Sequence, residues 1–501
     1  MQCAQGMGGV HVGSGALWAC SGPAGSARRG SVWAPRQGSS KRLRASVARC
    51  RQLVRAGRDP DEGPSLEANM SRRGVLGAAA TSAASAASAL GRPGAARAAA
   101  SDPERYPLWW VVPLAPYGKR KTVMSEAVPG RVWMFEQMLG TLNVLVNVRT
   151  TVVKLDEGGL WVHSPVAPTA EFLGQVKGLE AEHGPVKYVV LSSSAVEHKN
   201  TFGPFAKAFP DAELWTTQGQ WSWPWSLPLP LLGLWPRRVD GQLPASSREL
   251  LDTEKRQVPW ASQIEHEVLS VSGAQIRGFG RPWFLDCAFY DKATGTLVVT
   301  DTVASAGKEP PAVISDEALS IRAMDRWGQE EPVGTPETRA KGWGKIVLFG
   351  LLFKPASVDF APRPGFPLTL GKDLRDGFTW DPSWEPAFER LAARTLFVPP
   401  ILEVLAFPRR REVVYDWSRR VARWDFKRVI PAHLKAPVAA GPKDFTEAID
   451  VALEGAGVRS YGPDANLLVG IEKVLTDIGA LQKPGLQQIL EAGSSGVKLV
   501  P

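Results

Sequence analysis

One apolar run in this chain ends in a cluster of side chains that can do chemistry. Lys187 to Leu191 is typical of a buried strand. It is followed by residues that carry hydroxyl, carboxylate and imidazole groups: Ser192, Ser193, Ser194, Glu197 and His198. Hydroxyls and backbone N–H groups at the start of a helix can bind an anion, which suits Ser193 and Ser194 to a ligand-binding role. An imidazole beside a carboxylate can bind a metal ion, or can form a solvated or helix-capping pair.

Three further residues of these chemical types lie at the ends of predicted strands: His163, Asp301 and His433. Each has a structural interpretation as well as a chemical one, because Asp after a strand is often an N-cap or turn residue. The two histidines could equally be hydrogen-bonded structural residues. The remaining histidines of the chain after residue 100, His183 and His266, lie in charged settings and are expected at the surface.

Cysteine usage restricts the chemistry further. Cys3, Cys20 and Cys50 lie in a segment that we expect to be removed, which leaves Cys287 in an apolar strand. One thiol cannot form an internal disulfide, a redox pair or a cysteine-rich zinc site, so any metal must be held by histidine and carboxylate. The apolar setting of Cys287 predicts buried packing rather than a nucleophile.

Several other active-site classes lack their motif. No G-x-S-x-G elbow stands between a strand and a helix, and no Walker A or G-x-G-x-x-G element follows a strand. The sequence therefore offers no site for a serine hydrolase, a nucleotide hydrolase or a dinucleotide-dependent oxidoreductase.

The first hundred residues differ in composition from the rest of the chain. They carry fourteen Lys and Arg but four Asp and Glu, and no acidic residue precedes Asp59. We expect residues 1–70 to be a disordered organelle transit peptide. The remaining chain is close to neutral, with 45 basic and 46 acidic residues, which removes any charge argument for binding nucleic acid.

Residues 71–100 resemble a second targeting signal. Ser71-Arg-Arg-Gly-Val-Leu76 precedes an Ala/Ser stretch that ends at Ala98-Ala-Ala100, as in twin-arginine export signals with an A-x-A cleavage site. A transit peptide followed by such a signal is typical of chloroplast proteins sent to the thylakoid lumen. The stretch is too weakly apolar to cross a bilayer.

Strands and helices alternate from residue 150 onward, which favours an α/β sandwich. The pattern predicts strands at 150–155, 160–163, 186–191 and 213–217 and helices at 168–182 and 202–209. It then predicts a hairpin at 283–290 and 296–300, a strand at 427–430, and C-terminal helices at 445–453, 464–481 and 486–492.

Two segments are unusual. A long insertion, 305–425, contains the apolar run 346–353, which is too short for a membrane span. That run is expected to be a buried strand or helix, or else a surface for peripheral membrane contact or dimerisation. The loop 218–235 is rich in Trp and Pro, and Trp221 and Trp223 could line the mouth of a binding site or pack over the core.

The chain resembles the domain-of-unknown-function family 4336, which itself resembles metallo-β-lactamase-fold hydrolases. The resemblance lies in the Leu-Trp-Val-His-Ser-Pro-Val segment within 149–217 and in the hairpin of 286–303. It implies an αββα sandwich over 105–440, with the insertion before the last motif and a helical C-terminal extension at 441–501.

The resemblance also implies a set of metal ligands. The fold's His-x-His-x-Asp-His motif falls on Ser193, Ala195, Glu197 and His198. Asp301 matches the carboxylate that bridges two metals, and His433 matches the last histidine. One metal site thus loses its histidines, whereas the other keeps Glu197, His198, Asp301 and His433. His163 would be an extra ligand or would orient one.

Such a site could hold one zinc or iron ion, or none. The first hypothesis is a mononuclear metal-dependent hydrolase of an ester, thioester or lactone bond. The second is a catalytically inactive scaffold or ligand-binding protein of the chloroplast. The small-molecule ligand is not identified by the sequence.

Overall fold

Two β-sheets face each other across a layer of large apolar side chains in the computed structural model of the protein. The structure describes residues 102–106, 116, 118–141, 144–220, 239–247, 258–272, 284–326, 329–330, 332–360 and 378–484. All of these residues lie in one unit, Thr81–Pro501. The predicted transit peptide and export signal, and Trp221 and Trp223, lie outside the described residues.

The first sheet runs in the order of the sequence. A short antiparallel pair, β1 (Arg105–Tyr106) and β2 (Gly118–Lys119), precedes it. The described strands of the sheet are β3 (Val123–Val128), β4 (Val132–Thr141), β5 (Val144–Lys154), β6 (Leu160–His163), β7 (Val186–Leu191), β8 (Glu213–Thr217) and β9 (Gly241–Leu243). Pairing is antiparallel from β3 to β6 and parallel from β6 to β9.

The second sheet is completed by a strand that comes much later in the chain. Its first strands are β10 (Ile264–Val271), β11 (Phe284–Asp291) and β12 (Thr296–Val298). A separate antiparallel pair follows, β13 (Val358–Phe360) and β14 (Phe378–Trp380). The chain then returns as β15 (Arg428–Ile430), which pairs with β12 in parallel.

The helices cover the outer faces and fill the insertion. Those described are α1 (Ala170–His183), α2 (Val196–Ala206), α3 (Asp316–Ala323), α4 (Pro336–Leu352), α5 (Trp384–Ala392), α6 (Pro400–Leu405), α7 (Arg411–Val421), α8 (Pro442–Leu453), α9 (Ala456–Tyr461) and α10 (Asn466–Asp477). Within the described part of the chain, no helix has the length and apolar character that crossing a bilayer requires.

The layers follow from the alternation of side chains along the strands. Met134 of β4 points into the core between the sheets, while its neighbour Phe135 packs against α1 and α2 on the outer face. On the second sheet, Trp417 of α7 and Phe445 of α8 cover the outer face. The result is helix, sheet, sheet, helix, which confirms the predicted αββα sandwich of the metallo-β-lactamase type.

The insertion between β12 and β15 packs around Trp343 in a hydrophobic core that also includes residues of the C-terminal helices, such as Tyr461 and Leu468. The apolar run 346–353 forms the end of α4 and the residue after it, and Ile346, Val347 and Leu348 are fully or almost fully buried there. Phe353, just past the helix, is 43% exposed. The segment is therefore mainly part of the interior of the insertion.

Helices also follow the last strand, as expected, although the long helix predicted over 464–481 is shorter. A 3₁₀ turn, Gly462–Ala465, precedes α10. The helix predicted over 486–492 lies outside the described residues.

Two local predictions were wrong. Helix α2 begins at Val196 rather than Phe202, so Glu197 and His198 lie in its first turn and not in a polar loop. His266 is not at the surface: it lies in β10, fully buried, with Nε2 3.0 Å from the Pro244 carbonyl oxygen. His183 is partly buried and its ring stacks on Trp133.

Candidate metal centre

The pairing of the strands brings four of the predicted residues to one edge of the sandwich. In the second sheet Val298 of β12 lies opposite Ile430 of β15, and both strands run in the same direction. The residues that follow them, Asp301 and His433, therefore reach the same end. Strand β7 ends at this edge and is followed by α2. Glu197 and His198 lie in the first turn of α2 and belong to the same group.

One ligand atom from each of these four residues lies within 4.8 Å of all the others. His433 Nε2 lies 3.3 Å from Asp301 Oδ1, and His198 Nε2 lies 3.8 Å from the same oxygen. Four ligands about 2.0–2.2 Å from a tetrahedral ion are roughly 3.3–3.6 Å apart. Small side-chain movements would therefore suffice to place these atoms around one ion.

His198 has an environment that a structural histidine rarely has. It is 0% exposed, and neither Nδ1 nor Nε2 has a hydrogen-bond partner among the described residues. A buried polar atom without a partner is costly, so most buried imidazoles are hydrogen-bonded. The unpartnered nitrogens of His198, one of them facing Asp301, fit the ligand chemistry of a metal ion.

Asp301 is held in a defined orientation. Its Oδ2 accepts a hydrogen bond from Ser193 Oγ at 3.0 Å, which leaves Oδ1 facing both imidazoles. The backbone of the loop is fixed by the buried carboxylate of Asp286, which accepts from the N–H groups of Thr300, Asp301 and Thr302 at 3.2, 3.0 and 2.9 Å. The oxygen that faces the imidazoles is therefore positioned before any ligand binds.

His433 is oriented by the first sheet. Its Nδ1 lies 2.8 Å from the carbonyl oxygen of Asn147, so Nδ1 must carry a proton and Nε2 is directed at Asp301 and the other candidate ligands. The Asn147 side chain binds both the N–H and the carbonyl of Leu434. Arg149 donates to the same carbonyl at 2.6 Å and is paired with Glu136 at 2.5 Å.

Asp301 and the His433 imidazole next to it shift each other's pKa values. Burial opposes the ionisation of Asp301, but the His198 and His433 imidazoles next to it hold the pKa of its carboxyl well below its usual range. Burial would lower the pKa of His433, yet the Asp301 carboxylate raises it above its usual value. The centre thus contains a carboxylate that stays charged and attracts a cation.

His163 is buried next to the centre and is not part of the ligand group found among the described residues. Its Nε2 lies 2.7 Å from Ser192 Oγ, which lies 2.8 Å from Thr300 Oγ1. Burial and the nearby His198 lower the pKa of His163 to about 3, so its ring is neutral. His163 is thus connected through Ser192 to Thr300, the residue before Asp301.

The predicted ligand-binding serines are engaged inside the protein. Ser193 donates to Asp301 and accepts from the Ala195 N–H at 3.1 Å. Ser194 joins the two sheets, because its Oγ accepts from the Leu285 N–H at 3.1 Å. In the structure these two hydroxyls therefore contact Asp301 and the second sheet, and their predicted role in ligand binding stays a prediction.

Sequence reasoning missed the residues that hold the two ligand loops. Asp286 is a carboxylate between apolar residues inside β11, and that pattern could have singled it out, because a buried charge must be hydrogen-bonded. Glu136 and Arg149 lie opposite each other across β4 and β5. The pairing of Glu136 with Arg149 could not be predicted from the sequence, since β4 itself was not predicted.

The donor set fits one divalent metal ion. Two imidazoles and two carboxylates are suitable for zinc, and two imidazoles with one carboxylate are suitable for iron. Ser193 and Ala195 supply no ligand for a second ion among the described residues. Cys287 is free, fully buried and outside the site, and burial raises the pKa of its thiol well above the usual value.

Comparisons with known proteins place these features in context. Solved structures with a similar fold include the metal-soaked Flv1 flavodiiron core from Synechocystis sp. PCC6803, with 12% identity, a TM-score of 0.34, and 72% of this chain and 70% of that chain covered. The metallo-β-lactamase from Pontibacter korlensis has 10% identity and a TM-score of 0.31, covering 66% of this chain and 99% of that one. The metallo-β-lactamase FIM-1 from Pseudomonas aeruginosa in its mono-zinc form has 12% identity and a TM-score of 0.31, covering 67% of this chain and 96% of that one.

No curated protein matches the chain. A family model does: the one described as a domain of unknown function (DUF4336) covers residues 129–451, which include most of the sandwich, the insertion and all four candidate ligands. The protein therefore belongs to the DUF4336 family.

Proposed function

We propose that the protein is a hydrolase that uses a single metal ion and acts on an ester, thioester or lactone bond. The observation that carries the proposal is the convergence of Glu197, His198, Asp301 and His433, with His198 buried and both of its nitrogens unpartnered among the described residues. A cation held there would supply Lewis acidity, which polarises a carbonyl oxygen and lowers the pKa of water.

The protein's own residues define what such a site can do. Asp301 presents a single oxygen to both imidazoles, because Ser193 holds the other. Glu197 is partly exposed and lines a cavity that opens onto the centre, so it also faces any substrate there. With donors for one ion only, the reaction lacks a second cation, which favours the more reactive acyl bonds over amides or phosphodiesters.

Metal content tests the proposal directly. Elemental mass spectrometry on the full chain should find about one zinc or iron ion per molecule, and a His198→Ala, His433→Ala double variant should contain none. His183→Ala is the matched control, because this histidine lies outside the ligand group and should leave the metal in place. A wild-type protein that folds but holds no metal in zinc- or iron-supplemented buffer would rule the site out.

Turnover is the second part of the test. The wild type should hydrolyse a chromogenic ester, and the double variant should lose that activity together with its metal.

A second function, ligand binding without catalysis, is favoured by one observation. The positions of two fold-typical histidines are taken by Ser193 and Ala195, and the Ser193 hydroxyl is committed to Asp301. A protein that binds one metal and a ligand of the cavity, but turns over none of a broad panel of esters, thioesters and lactones, would establish this alternative.

We also propose that the protein acts in the chloroplast, in the thylakoid lumen. The acid-free, Arg-rich segment 1–50 and the Arg72-Arg73 pair support this address. Full-length protein with a C-terminal fluorescent tag should reach the lumen, and an Arg72→Lys, Arg73→Lys variant should stop in the stroma. Fluorescence that stays outside the chloroplast would contradict the proposal.

A further inference from the structure

A cavity of about 670 Å³ lies directly on the metal centre. Its polar side chains belong to Glu197, Thr300, Asp301 and His433, which all lie at the centre. The rest of the described lining consists of glycine and apolar residues: Leu139, Gly140, Val146, Ala195, Phe284, Val303, Ala304, Val347, Phe349, Gly350, Leu351, Phe353, Pro399, Ile401, Leu402 and Leu434.

The insertion supplies much of the apolar wall. Val347 and Leu351 belong to α4, and Leu402 belongs to α6, whereas the centre itself is built by the two sheets and α2. Val347 is fixed in the core of the insertion, with 0% exposure, so this part of the wall is held rigidly. The sandwich thus provides the reacting end of the cavity and the insertion determines what can lie beside it.

Part of the apolar lining is open to solvent. Phe353 is 43% exposed and Ile401 is 37% exposed, and both line the cavity. Exposed apolar side chains next to an apolar cavity are typical of a binding site for an apolar ligand. The volume also lies in the range of small-molecule sites, roughly 300–1,000 Å³.

We infer that the substrate carries an apolar acyl chain of medium length, about eight carbons or more, which lies against the α4 and α6 wall with its carbonyl carbon at the metal centre. This inference rests on the proposed hydrolase function and specifies its substrate. Water adds to the carbonyl carbon, the C–O or C–S bond breaks, and the products are a carboxylic acid and an alcohol or thiol. No electrons are transferred and no co-reactant besides water is needed.

The physical reason for chain-length dependence is the transfer of methylene groups out of water. Each buried methylene improves affinity about fourfold. A cavity with polar groups at one end and apolar groups elsewhere therefore discriminates by length, whereas a polar cleft would not.

Binding of uncharged alcohols tests the cavity without any need for turnover. On the full chain, 1-octanol should bind at least 50-fold more tightly than 1-butanol in calorimetric titrations. Ile401→Glu should weaken 1-octanol binding at least tenfold, since the partly exposed side chain tolerates a charge but lines the cavity. Ile478→Glu is the matched control, because Ile478 is 66% exposed and lies outside the lining, and it should bind 1-octanol like the wild type.

Hydrolysis then separates the two proposals. With metal present, kcat/KM for p-nitrophenyl octanoate should exceed that for p-nitrophenyl acetate at least tenfold, and Ile401→Glu should remove the difference. Equal rates for the two esters would overturn the acyl-chain inference while the hydrolase stands. Tight 1-octanol binding without turnover of either ester would overturn the hydrolase, and with it the assignment of an acyl substrate. Equal affinity for the two alcohols would overturn the inference at the level of the cavity.

Discussion

At the level of single residues, the buried imidazole of His198 destabilises the folded protein as long as nothing binds its nitrogens. Leaving a buried polar atom without a partner costs about 1–3 kcal/mol, and both nitrogens of this ring are in that situation among the described residues. A bound cation would offset this cost, since any ligand that binds only the folded state stabilises it. Sequence reasoning named His198 through its place in a motif. It could not have known the burial, because that depends on where α2 begins.

Arg149 supports the centre from a distant part of the sequence. It is 1% exposed and paired with Glu136, and it donates to the loop that carries His433. An Arg149→Met variant leaves the Glu136 carboxylate buried without its partner, which should cost about 3–5 kcal/mol of the free energy of unfolding in urea titrations.

The control for Arg149 is an ion pair at the surface. Lys308 and Glu389 are 2.8 Å apart with side chains 65% and 51% exposed, so Lys308→Met should change the free energy of unfolding by less than about 1 kcal/mol. Equal effects of the two variants would mean that Arg149 does not support the fold through Glu136.

His266 should make the protein sensitive to acid independently of the metal centre. Burial lowers its pKa to about 4, below the value of about 6.5 expected in the unfolded chain. The unfolded state therefore binds the proton first, and stability is complete above pH 6.5 and is lost as the pH falls toward 4. Between pH 7.5 and pH 5 the wild type should lose about 2 kcal/mol more than a His266→Gln variant.

Urea titrations of both proteins in the presence of a chelator measure this difference. A parallel decline of stability in the two proteins would show that His266 does not titrate on unfolding.

At the level of elements, the site could not be predicted fully because the first residue of α2 was not predicted. Its N-cap is Ala195, which makes no side-chain cap, and Pro204 lies inside the helix. Without a capping side chain the sequence does not show where the helix begins, so only the apolar part from Phe202 was predicted, with Pro204 inside it. By contrast, α1 has the Thr169 cap and buried residues at Phe172, Val176 and Leu179, and its prediction was correct within two residues.

The contact of α3 with α4 should be equally decisive for the cavity wall. A Cβ at Gly342 of α4 would lie 2.1 Å from the Leu319 carbonyl oxygen, and backbone atoms cannot rotate away. Gly342→Ala should therefore destabilise the insertion by at least 1–3 kcal/mol and weaken 1-octanol binding.

Gly470→Ala provides the matched comparison. It lies in α10 with no atom within 4 Å of its Cβ position, and it should stabilise the protein by up to about 1 kcal/mol. Thermal unfolding and 1-octanol titration of the two variants check both effects. Tolerance of Gly342→Ala would show that the two helices do not pack as closely as described.

For the whole molecule, the order of apolar and polar residues predicted the sandwich because each strand alternates and each helix has one apolar face. The insertion could not be predicted in the same way. Its core joins Trp343 to residues as distant as Leu468, and nothing local indicates which distant segments will meet. The same reason hid the cavity, whose walls come from both sheets and from α4 and α6.

The parallel pairing of β12 with β15 has a consequence for the time course of folding. Thr296 pairs with Arg428 across the whole insertion, and contacts between distant segments form slowly, so we expect Asp301 and His433 to come together late. A metal ion held by both should therefore find no complete site in the folding transition state. Added zinc should slow unfolding several-fold and leave the refolding rate unchanged in stopped-flow tryptophan fluorescence, whereas faster refolding with zinc would mean that the centre forms early. Once assembled, a centre with a bound ion would then hold β15 against the rest of the protein and oppose its detachment.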